Sequence, residues 1–189
     1  MAQTPFRDSR GNTMSIRSTL RNVALMTALL TAGTVTSSPE AAFAAAQTCS
    51  ERPGGLPDLT CTPGAMNPDV TPSTIDTTIC VGGYSGSIRP SSSFTNKVKA
   101  KQMIAYGRDG SLADYEEDHM INLSLGGSPT SPKNLWPQAR NGTAGTTAGD
   151  KDAVEFKLYR AVCAGKAGLR EAQKALVSDW TTALASLGL

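Results

Sequence analysis

Residues 115–138 read YEEDHMINLSLGGSPTSPKNLWPQ, and they set Glu116, Glu117 and Asp118 directly before His119, the only histidine of the chain. A histidine whose ordinary pKa lies near neutrality is suited to taking a proton from water. A carboxylate beside it is suited to a hard divalent cation, which prefers oxygen ligands. On a strand neighbouring side chains point to opposite faces, so Asp118 and His119 converge on one ligand only if the chain bends there. Downstream, Met120 to Leu125 alternates in character and predicts a strand, with Gly126-Gly127 closing it in a turn. Glu116 and Glu117 read as solvated side chains. Trp136 reads as a core or loop anchor, with base stacking as the minority alternative.

Asp118-His119, Gly126-Gly127 and Asn134-Leu135 together resemble the core of the secreted HNH, or ββα-metal, endonucleases. The resemblance is strong over residues 115–138. Weaker similarity spans most of the chain after the leader, including Cys80-Val81-Gly82-Gly83-Tyr84, Arg89-Pro90, Lys151-Asp152 with Glu155, and Asp179-Trp180. It implies an α+β fold, a small ββα-metal core with flanking helices, stapled by disulfides. It also implies His119 as general base, with Asp118 on a divalent metal ion, whether Mg, Mn, Ca or Zn. Asn134 would hold the loop or orient the His119 ring, and a turn-capping role is equally open. The family's third position, on the following helix, has no histidine to fill it. Asn141 is the best match by residue type, and Asp152 and Asp150 stand at a predicted helix start, where Asp150 also suits a cap. Thr147 is a poorer ligand.

Outward from this segment, Ile79 to Ile88 predicts a short strand or hairpin, and Thr95 to Tyr106 a helix with Val98, Met103 and Ile104 facing inward. Residues 138–149, QARNGTAGTTAG, read as a small, polar loop. Two more helices are expected. One runs over residues 150–163, with Val154, Leu158, Ala161 and Val162 on one face, and the other over residues 169–187, with Ala172, Leu176, Trp180, Ala183 and Leu184 at helical spacing. Residues 47–78 are rich in Pro, Gly, Thr and Asp and read as an extended arm.

The first 46 residues read as a signal peptide. Arg17 and Arg21 precede an apolar run from Val23 to Gly33 that is too short to span a bilayer, and A-x-A sites follow at Ala42 to Ala46. Their removal takes four of the 18 basic and two of the 16 acidic residues, which leaves the remainder balanced in charge. Net charge therefore argues neither for nor against nucleic acid. All four cysteines, Cys49, Cys61, Cys80 and Cys163, lie beyond the leader, and an even count in an exported chain points to disulfides. Zinc is disfavoured by the absence of a C-x-x-C pair. Loop closure favours Cys49 with Cys61 and Cys80 with Cys163 among three open connectivities.

The expectation is thus an exported domain over residues 79–189, extracellular or periplasmic, monomeric, with no membrane partner, that cleaves DNA or RNA. Lys97, Lys99, Lys101, Arg89, Lys133 and Arg140 are candidates to meet phosphates, or are ordinary solvated surface. A non-catalytic, disulfide-stapled binding domain on the same scaffold is the rival. Hydrolysis by paired carboxylates among Asp114, Glu116, Glu117 and Asp118 is a weaker third reading.

Overall fold

A computed structural model describes residues 48–189, and the expected signal peptide lies outside the described residues. The strand of the site is the acidic run itself. Tyr115–His119 (β1) pairs antiparallel with Leu135–Ala139 (β2), with His119 opposite Leu135 and Asp118 opposite Trp136. The predicted strand over residues 120–125 is a correction: the ladder stops after Met120 N–H donates to Asn134 O. The next residue, Ile121, gives its N–H to Asn134 Oδ1 and takes Asn134 Nδ2 on its carbonyl, both at 2.9 Å. A side-chain amide thus replaces the next ladder rung, and the chain turns through a 3-10 turn at Leu123–Leu125 with both leucines buried.

The strand or hairpin expected over residues 79–88 is also corrected. Gly83 sits at φ 86°, a left-handed conformation that suits glycine, and Tyr84–Ser87 (α1) is a single helical turn. Local bonds such as Cys80 N–H to Ile75 O satisfy this backbone, which has no ladder partner to need. Ser92–Ala105 (α2) begins earlier than predicted because Ser91 caps it, accepting from Phe94 N–H. Its inward residues are Lys99 and Met103, while Ile104 is exposed. Lys99 Nζ donates to the carbonyls of Leu112 and Tyr115, and Gln102 Nε2 to those of Pro132 and Leu135, so two polar side chains anchor α2 to the hairpin.

Ala148–Cys163 (α3) starts at a capping box in which Thr147 and Asp150 exchange side-chain and backbone bonds. Leu169–Asp179 (α4) and Ala183–Ser186 (α5) replace the single long helix predicted over residues 169–187. The break follows from Asp179, whose Oδ1 takes the N–H and hydroxyl of Thr181. Leu56, Val70, Ile121, Leu125, Leu158, Leu176 and Trp180 belong to one core. The arm is therefore not separate, since Leu56 and Val70 come from it. Cys49–Cys61 and Cys80–Cys163 are bonded, and no described cysteine is free. Mixed helix and a two-stranded sheet make the fold α+β. Disulfides fit an oxidising compartment, and among the described residues no helix is long and apolar enough to cross a membrane.

Candidate active site

His119 ends β1, only 5% exposed, at the point where the Asn134 amide turns the chain away. Its Nε2 lies 3.1 Å from the Pro129 carbonyl oxygen. A carbonyl only accepts, so Nε2 carries the proton and Nδ1 keeps the lone pair. Burial lowers the pKa of His119, and Arg89 and Lys151 lower it further, against the Pro129 bond and the Asp118 charge, which raise it. The ring is therefore neutral at physiological pH. Pro129 owes its place to Asn134, whose Nδ2 also donates to Ser128 O at 3.0 Å. Asn134 makes no hydrogen bond to the His119 ring: of the roles left open for it, the loop-holding one matches its bonds.

Alternation along β1 sends Glu117 and Asp118 to different surroundings. Asp118 meets α3, where Lys151 Nζ lies 2.7 Å from Asp118 Oδ2 and also pairs with Glu155. The same ammonium donates to the His119 carbonyl at 2.7 Å. One fully buried lysine thus ties α3 to both consecutive site residues. Burial alone would lower its pKa, but the two carboxylates more than offset that and hold it above the usual lysine range. Glu155 is pushed up to about 8, first by its burial and also by the Asp118 charge, against the pull of Lys151.

Asp152, one turn before Phe156, is exposed and completes the cluster. Carboxylate oxygens of Asp118, Asp152 and Glu155 all lie within 4.8 Å of one another. Burial and then Asp118 raise the pKa of Asp152, as they do that of Glu116, which Arg140 engages at 2.8 Å. Asp118 and Asp152, two of the residues named from the sequence as candidate metal ligands, are brought together. Asn141 is exposed in the loop between β2 and α3, and Asp150 spends its carboxylate on the cap, accepting from Gly145 and Thr147. Glu155, Lys151 and Pro129 were not foreseen as site residues. The signals available for Lys151 and Glu155 were their place in the weaker resemblance and their spacing of four, since such pairs meet on a helix face.

Two further expectations are corrected. Glu117 is not solvated: both its carboxylate oxygens are buried without a hydrogen-bond partner, and burial pushes its pKa up to about 8 although Lys99 opposes this. The second is Lys99, which is buried and serves backbone carbonyls instead of phosphates, while Trp136 is fully buried beside Tyr106 and Arg108, the core anchor it was read as. No family model, curated protein or solved structure matches this chain.

Proposed function

We propose that the chain is an exported, metal-dependent endonuclease that hydrolyses phosphodiester bonds of DNA or RNA on a ββα-metal core. The observation that carries this reading is the convergence of Asp118, Asp152 and Glu155, with His119, whose proton is fixed on Nε2, next to Asp118 at the end of β1. The order β1, β2, α3 agrees with the core that the resemblance implies. Three carboxylates in mutual reach suit a hard divalent cation such as Mg, Mn or Ca better than Zn, and Asp118, Asp152 and Glu155 would hold it. When bound, such an ion offsets negative charge on the phosphate and leaving oxygen. His119 Nδ1 takes the proton of the attacking water. Pro129 keeps the ring in the tautomer that leaves Nδ1 free, and Asn134 keeps Pro129 in place. Arg89 and Arg140 add positive potential beside the acids. Arg89 is exposed and placed to meet the substrate backbone, whereas Arg140 is exposed but already paired with Glu116.

One observation favours the rival, a non-catalytic binding domain. Lys151 already neutralises part of the carboxylate cluster, so the cluster is tolerable without an ion. Cleavage of plasmid and RNA by purified oxidised protein, with and without EDTA, separates the two readings. The nuclease reading expects chelator-sensitive cleavage that His119→Ala lowers by about two to four orders of magnitude with metal binding retained. Asp118→Asn loses metal affinity and activity together. An unaltered rate in His119→Ala, with contaminating nuclease excluded, would falsify the mechanism.

A further inference from the structure

Phe156 is 60% exposed although it sits in the middle of α3, a helix whose other face is core. It stands four residues after Asp152 and four before Arg160, so the three share one face of the helix, with Lys157 beside them. Both basic residues are exposed. The Phe156 ring packs on Tyr159, with centroids 6.5 Å apart, which fixes it as a platform. On one side it lines a notch of about 190 Å³ with Arg89, Asn122, Ser124, Asp152 and Glu155. On the other it opens a groove of about 530 Å³ whose rim carries Lys157, Arg160 and Lys166 and whose floor includes Ala161 and Leu184. The acidic cluster, an exposed aromatic ring and a basic, apolar groove therefore follow one another along α3.

We infer that this face is a track for single-stranded nucleic acid, leading from the notch that Asp152 and Glu155 line, over Phe156 and along Lys157 and Arg160. The inference rests on the nuclease reading above and adds the strand state of the substrate. A positive groove interrupted by an aromatic platform is the arrangement that holds unpaired strands, because the backbone follows the charges and a base stacks on the ring. In a duplex the bases are stacked on one another and do not offer a face to Phe156. The notch is too small for a drug-sized ligand, and Arg89 there counters the repulsion of phosphate by Asp152 and Glu155. Lys157, Arg160 and Lys166 match a polyanion and carry no acidic residue among the groove's lining.

The test measures binding of fluorescein-labelled oligonucleotides, single-stranded and duplex of one sequence, to the oxidised His119→Ala protein, alongside cleavage by the protein with His119 intact. Phe156→Ala should weaken single-strand binding about tenfold and duplex binding much less, with Phe156→Trp restoring it. Lys157→Ala and Arg160→Ala should each flatten the salt dependence of single-strand binding by about 0.7 in log–log slope. Equal single-strand affinities for Phe156→Ala and its parent overturn the track and leave the nuclease reading standing if cleavage persists. Absence of both binding and cleavage overturns the two together. Phe156-dependent binding to phosphatidylserine vesicles, with no preference for single strands, overturns the track in favour of a membrane-facing surface.

Discussion

Asn134 illustrates how one buried amide decides both a turn and a catalytic posture. Its three bonds, to Ile121 N–H, Ile121 O and Ser128 O, lie where no water replaces them. Asn134→Ala leaves those groups unpaired, and we expect a loss of about 2–3 kcal/mol in urea unfolding. Loss of the loop's anchor also frees the Pro129 carbonyl, so kcat should fall more than KM rises. A variant with full kcat would detach Asn134 from the site. Glu117 gives the second prediction at this scale. Its ordinary value is 4.5, and in the folded chain it stands at about 8. Between those values the folded state holds a proton that the unfolded state has released. Its contribution to stability is thus complete below 4.5 and is lost as pH rises through the folded value. Glu117→Gln should remove that loss, so unfolding curves at about pH 5 and about pH 9 should agree better in the variant than in the parent. An unchanged pH dependence would place the titrating group elsewhere.

At the scale of elements, α3 is attached to the hairpin through a single ammonium. Lys151→Met leaves Asp118 and Glu155 buried without their cation, and a destabilisation of about 3–5 kcal/mol is expected by denaturant unfolding, with activity lost at temperatures where the variant is still folded. A neutral effect would mean that the carboxylates discharge by taking up protons. The turn between β1 and β2 is held as tightly. A methyl group on Gly127 would overlap the Ile121 carbonyl oxygen and crowd Asn134 Nδ2. Neither is a flexible side-chain end that can move aside, so Gly127→Ala should cost about 1–3 kcal/mol and lower activity with stability. Full activity at unchanged Tm would show that this close approach is not required.

Over the whole molecule, the two staples close loops of very different length, with separations of 12 and 83 residues. Chain-entropy reasoning assigns about 3 kcal/mol to Cys49–Cys61 and about 4.5 kcal/mol to Cys80–Cys163. Paired Cys→Ala variants should therefore differ in unfolding free energy, with the Cys80–Cys163 pair costing more. The reverse order would show that strain or residual structure outweighs loop length.

Much of this was legible in the residues. The even cysteine count, the adjacency of Asp118 and His119, the capping role of Asp150 at the start of α3 and the apolar spacing of α3 and α4 are local, and local spacing expresses chemistry and periodicity directly. What the tertiary structure alone decided involves residues distant in the chain. The strand lies on the acids and not on the apolar alternation, because an amide thirteen residues away takes the next rung. Glu117 is buried because α2 is anchored to the hairpin by Lys99 and Gln102. Glu155 becomes a site residue only because Lys151 draws α3 to Asp118. The sequence by itself determined which residue types the site contains. Burial and long-range polar contacts, which depend on the path of the whole chain, decided which of them meet and in what state of charge.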